Sequence, residues 1–99
     1  MAFKVRLTAQ AQLDVWDIIT WYESRKTGLG ERFDAEVNQM LFEIGKKPTQ
    51  YSFYKDDFRR AILKHFPYLI IFKIKENEII VHAIVFGGRN PGLINRKID

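Results

Sequence analysis

The sequence predicts an α+β fold with the element order β-α-α-β-β-β. Three observations carry that expectation: a charged-apolar alternation at the start, two stretches of helical apolar spacing joined by a glycine turn, and three strand-like runs in the second half. A length of 99 residues and a hydrophobic content of 46% fit one compact domain over 1–99, long enough to bury a core and too short for two.

Phe3, Val5 and Leu7 alternate with Lys4 and Arg6, the period of a strand with one buried and one wet face. Thr8 offers a side-chain oxygen as a helix cap, after which Ala11, Val15, Ile18 and Tyr22 recur at helical spacing while Asp14, Asp17 and Thr20 fall elsewhere. This first helix is expected to run to about Lys26. Trp16 and Trp21 point to different sides of it, so one is expected to pack on the sheet and the other to be more exposed.

The segment 27–30 (TGLG) reads as a turn. Phe33, Val37, Met40 or Leu41, and Ile44 then mark a second amphipathic helix, which Gly45 and Pro48 are expected to end. So short a connection makes the two helices antiparallel neighbours. Residues 49–57 (TQYSFYKDD) hold no sustained period and read as an aromatic-rich loop with an exposed tip. Residues 58–64, 68–75 and 78–86 form three strands, the last two joined through Glu76-Asn77, where Asn77 is expected to take the positive φ. The apolar run from Ile79 to Val85 suits a central strand covered on both faces. His82, in the middle of that run, reads as a satisfied core or sheet-face histidine rather than a catalytic one.

The chain contains no cysteine, which excludes a disulfide framework and a thiolate metal site, and its two histidines are too far apart to form a local ligand pair. No metal or other cofactor is expected. The start, MAFKVRLT, lacks the continuous apolar run of a signal peptide or membrane span, so a cytoplasmic protein without membrane association is expected. Charge is uneven: residues 1–57 carry 8 Lys/Arg against 9 Asp/Glu, and residues 58–99 carry 8 against 3. The C-terminal part therefore carries +5 against −1 for the rest and accounts for the whole net charge of +4, which suits nucleic acid, a nucleic-acid-bearing machine or an acidic protein segment as partner.

The order of Arg59-Arg60, Phe66-Pro67-Tyr68, the hairpin at Glu76-Asn77, and Arg89-Asn90-Pro91 resembles the C-terminal half of the RelE/ParE superfamily of bacterial toxins. Ala11, Asp14, Val15, Ile18 and Tyr22 are similar to that superfamily's first helix, which extends the resemblance over nearly the whole chain. The resemblance implies a small antiparallel sheet of about four strands backed by an N-terminal helical hairpin, with a short C-terminal helix. It also implies the toxin component of a type II toxin-antitoxin system, of plasmid stabilisation type, that inhibits growth and is neutralised by a cognate antitoxin.

Two branches of the superfamily differ in target. One cleaves messenger RNA on the ribosome; there Arg60 and Arg89 are suited to steady phosphate charge, and Lys64 and His65 to move protons. Adjacent Arg59 and Arg60 must face opposite ways, so at most one of them is expected to be functional. The other branch, ParE-like, acts on DNA gyrase and needs a binding surface rather than an acid/base set. The resemblance to the ParE-like branch is closer. Ribonucleolytic members frequently carry a tyrosine near the C-terminus, whereas the last tyrosine here is Tyr68, and Phe86 and Ile94 stand where many relatives have His and Trp. The expected recognition residues are Arg60, Arg89 and Arg96. Gly87-Gly88-Arg89-Asn90-Pro91 offers a further anion-binding turn, with Pro91 opening a short helix. The alternatives are the ribosome-dependent endoribonuclease and a non-toxic module that retains antitoxin binding.

Overall fold

The computed structural model describes residues 3–87. Its elements are β1 (Lys4–Leu7), α1 (Ala9–Arg25), α2 (Leu29–Lys46), a single 3-10 turn (Pro48–Gln50), β2 (Phe53–Lys55), β3 (Phe58–Ile62), β4 (Tyr68–Lys75) and β5 (Glu78–Phe86). One sheet in the order β1-β5-β4-β3-β2 lies against the helical hairpin. The expected C-terminal helix, the Gly88 to Pro91 turn, Arg89 and Arg96 lie outside the described residues.

The sheet has five strands and is mixed. β1 pairs parallel with β5, while every other pairing is antiparallel. A strand that precedes two helices returns beside the last hairpin strand by a long crossover, and that connection is what allows parallel pairing. The additional strand, β2, lies inside the segment expected to be a loop. Phe53 pairs with Arg59 and Lys55 with Phe58, and Asp56 turns the chain at a φ of 51°. Aspartate tolerates that left-handed conformation better than most residues, so Asp56-Asp57 acts as hairpin chemistry without a glycine.

Helix starts follow side-chain and backbone donors. The Ala11 N–H donates to Thr8 Oγ1 at 3.1 Å, the expected cap of α1. α2 begins earlier than expected, at Leu29, with Gly28 at a φ of 89° before it. It has no side-chain cap of its own. Instead Glu23 of α1 accepts from the N–H groups of Gly28 at 2.8 Å and Gly30 at 2.9 Å, placing an anion at the positive end of α2.

Gly45 does not end α2, which continues to Lys46. An added Cβ at Gly45 would meet Val5 Cγ2 at 3.2 Å, so this glycine is used for close packing of α2 on β1. The β4–β5 hairpin forms as expected, but the positive φ, 60°, belongs to Glu76 rather than Asn77. A positive φ at the first of two turn residues is the sign pattern of the II′ hairpin turn, whereas positive φ at both belongs to I′.

The main core lies between helices and sheet. Phe33, Val37 and Ile44 of α2 and Ala11 of α1 pack with Ile70, Phe72, Ile79, Val81 and Ile84, all of them buried. Within it, Tyr22, Phe33, Phe66 and Tyr68 form an aromatic group with ring centroids 5.0–6.2 Å apart. The Phe-Pro-Tyr motif thus ties the β3–β4 turn to both helices through two rings. Both tryptophans are exposed, Trp16 at 67% and Trp21 at 51%, so neither packs on the sheet. Arg25 lies over the Trp21 ring at 4.6 Å, which holds that indole on the helix surface.

Candidate functional site

The strand registers sort charge by face. Val5 and Leu7 of β1 pack with the helices, so Lys4 and Arg6 project from the opposite, helix-free face. Lys4 pairs across Glu78 to Lys75 in one row, and Arg6 pairs across Ile80 to Lys73 in the next. Four cations therefore surround one acid, Glu78, whose carboxylate contacts Arg6 Nε at 3.2 Å.

A β-bulge sits beside these rows. Phe72 pairs with Val81 but the preceding Ile71 pairs with Ala83, leaving His82 without a register partner. Without the bulge, strict alternation would put Ala83 on the helix side and Ile84 away from it. With it, His82 and Ala83 both face away and Ile84 returns to the core. Thr8 fixes this point, its N–H donating to Val81 O at 3.0 Å and its hydroxyl to His82 O at 3.4 Å.

A cavity of about 420 Å³ opens here, lined by Arg6, Thr8, Asp57, Lys73, Ile74, Lys75, Ile80 and His82. The His82 ring stands edge-on to Phe58 at 5.1 Å, and its Nε2 is buried with no hydrogen-bond partner among the described residues. Burial lowers the His82 pKa below the ordinary histidine value; the charges of Lys73 and Arg6 lower it further, and Asp57 opposes them. His82 is thus a sheet-face histidine whose Nε2 is not satisfied among the described residues.

Farther along the same face, Phe58, Leu69, Ile71, Ala83 and Val85 form a second buried apolar group, with Tyr54 packed against it. Arg60 belongs to this face, since it pairs with Ile71. It is exposed. Arg59 points the other way and is structural: its Nη1 donates to Tyr51 O at 2.7 Å and Thr49 O at 3.3 Å, and its guanidinium lies 3.9 Å over the Phe53 ring.

Lys64 and His65 are turned toward α2. His65 Nδ1 lies 2.7 Å from Glu36 Oε1, and its backbone N–H donates to Glu36 Oε2 at 2.9 Å. Lys64 and His65 line a groove with Ala35, Glu36, Gln39, Met40 and Glu43. The structure does not bring this pair together with Arg60, which projects from the other face of the sheet.

Sequence reasoning passed over Lys4, Arg6, Lys73 and Lys75. Their two-residue spacing on strands was the available signal, because it predicts one shared face. Among the described residues, no group of three or more His, Cys, Asp or Glu could hold a metal ion, and no helix is long and apolar enough to cross a membrane.

Residues 5–91 match the sequence model of the family described as "ParE toxin of type II toxin-antitoxin system, parDE". The chain belongs to the ParE toxin family. A solved structure of the chromosomal ParDE TA system from P. aeruginosa has the same fold, with a TM-score of 0.75 and 16% sequence identity, covering 84% of this chain and 94% of that one. No curated protein sequence matches. The matched span includes the Phe66-Pro67-Tyr68 turn and the α1 pattern.

Proposed function

We propose that this ParE-family toxin inhibits growth by binding DNA gyrase on its broken-DNA intermediate, and that a cognate antitoxin neutralises it. The observation that carries the gyrase reading is the separation of Arg60 from Lys64 and His65. A ribonuclease must bring cations and proton-transfer groups to one phosphate. Here His65 is bound to Glu36 on the α2 side, whereas the exposed Arg60 stands on the helix-free face with the basic rows of β1 and β4. Such a surface suits electrostatic recognition of a nucleic-acid-bearing machine. Arg60, with Arg89 and Arg96 of the C-terminal segment, is proposed to contact the target.

For the antitoxin, the docking surface we propose is the open edge of β1, which among the described residues pairs on one side only, with β5. Beside it lies an apolar groove formed by Phe3, Val5, Leu7, Leu41, Phe42, Gly45 and Lys46. An extended antitoxin segment with apolar side chains toward that groove and acidic ones toward Lys4 and Arg6 would match both faces of the edge. The interface is then wide and salt-sensitive.

Incubation of the purified protein with gyrase, supercoiled plasmid and ATP, followed by detergent and protease, tests the gyrase reading. Linear DNA that disappears with Arg60→Ala or Arg89→Ala supports it. Intact, normally supercoiled plasmid overturns it and directs the search to cut messenger RNA on translating ribosomes.

A further inference from the structure

We propose that the cavity between β1, β5 and β4 is an anion site that takes a phosphate-class ligand through Arg6, Lys73, Lys75 and His82. Three observations support this independently of gyrase. The cavity is large enough for a phosphoryl group with part of its carrier, at about 420 Å³. Strand register fixes its charge, with Lys4, Arg6, Lys73 and Lys75 around Glu78, and Asp57 on the rim. Glu78 is engaged by Arg6 at 3.2 Å, through Nε alone in that contact.

The third observation is the bulge. It costs a regular ladder step at His82, whose ring lies on the basic face and whose Nε2 has no hydrogen-bond partner among the described residues. A buried polar atom left unpaired carries a desolvation penalty. Rotation of the His82 ring to bring Nε2 from its buried position to a ligand oxygen would remove that penalty, and a bound anion would oppose the burial and the Lys73 and Arg6 charges that now disfavour the imidazolium. Arg6 supplies planar paired donors, and the two lysines act as point charges. An apolar ligand has no use for this site, because the cations would lose water without gaining partners.

The ligand's phosphoryl group has two possible sources, a nucleic-acid backbone or a free phosphate such as a nucleotide. The test is an NMR titration of the His82 ring in the full-length protein with inorganic phosphate, and separately with a short single-stranded oligonucleotide, at constant ionic strength. Saturable ring shifts with a raised His82 pKa are expected, and they should weaken about tenfold or more in Lys73→Gln/Lys75→Gln. Arg32→Ala, exposed on α2 outside the cavity, should leave them unchanged. Saturation by the oligonucleotide at much lower concentration identifies a backbone phosphate; saturation by inorganic phosphate alone identifies a free one. An equal response to chloride, or a His82 pKa that neither ligand moves in the unsubstituted protein, overturns the site. The titration contains no gyrase, so its outcome is separate from the test of the gyrase reading.

Discussion

The backbone N–H of Ile84 donates to Asp14 Oδ2 at 3.0 Å, joining the middle of α1 to the sheet strand beneath it. β1 covers β5 only as far as Val81, so among the described residues the outer edge of β5 beyond that point has no strand to satisfy it. Thr8 meets the carbonyl of His82 and Asp14 meets the N–H of Ile84. A carboxylate at 4% exposure inside a helix is explained by that need, and Gln10 Nε2 adds a donor at 2.8 Å. Replacement of Asp14 by Ala leaves a buried donor unpaired and is expected to cost about 1–3 kcal/mol. Asp14→Asn, which keeps an acceptor oxygen, should cost less. Urea denaturation of the three proteins measures it, and an Ala variant as stable as the parent would refute the assignment.

Glu23 makes a second prediction. It caps α2 from the neighbouring helix because the chain reaches Leu29 through Gly28, with no Ser, Thr, Asp or Asn at the cap position. Glu23→Ala is expected to destabilise by about 1 kcal/mol, the ordinary value of a helix cap. Gly30→Ala should cost more, about 1–3 kcal/mol, because its Cβ would stand 2.7 Å from the backbone oxygen of Ile19 and force the helices apart. Thermal denaturation ranks the two. The reverse order would mean that the helix crossing is looser than the structure shows.

The adjacent arginines separate stability from action. Arg59→Ala removes two bonds to carbonyls and a ring contact, and is expected to cost about 1–3 kcal/mol of folding stability. Arg60→Ala should stay within about 0.5 kcal/mol of the parent, as exposed substitutions usually do. If Arg60 recognises the target, growth inhibition falls with Arg60→Ala at unchanged melting temperature. Full inhibition by a well-folded Arg60→Ala protein would remove Arg60 from the target surface.

Period carried most of the architecture from sequence to structure. The α1 cap at Thr8, both helices, the β4–β5 hairpin and the two-sided burial of β5 follow from local spacing. What spacing could not show depends on partners far along the chain. The parallel β1–β5 pairing is a non-local choice, and β2 is three residues long, too short for a period to declare itself. Gly45 reads locally as a stop, yet its use is set by Val5 on another element. The site divides in the same way. Opposite facing of Arg59 and Arg60 was legible from alternation, whereas the alignment of Lys4 and Arg6 with Lys75 and Lys73 required the register. The bulge at His82 was hidden because Val81-His82-Ala83 contains no glycine to mark it.

Glu36 and His65 predict how the fold responds to acid. Burial alone would raise the Glu36 pKa, but the N–H groups of His65 and Lys64, the His65 ring and its charge outweigh it and hold the carboxyl below its ordinary value. A carboxylate whose folded pKa lies below its unfolded pKa stabilises the fold fully above the unfolded value. That contribution declines as pH falls between the two values and is gone below the folded one. The stability difference between the parent and Glu36→Gln should therefore shrink as pH falls below the ordinary carboxylate range. Because the bonded groups include the His65 backbone N–H at 2.9 Å, His65→Ala should narrow the difference without abolishing it. Urea denaturation across an acid pH series reads both effects. A difference that grows as pH falls below the ordinary carboxylate range would mean that the Glu36 carboxyl is protonated, not ionised, where it meets the β3–β4 turn.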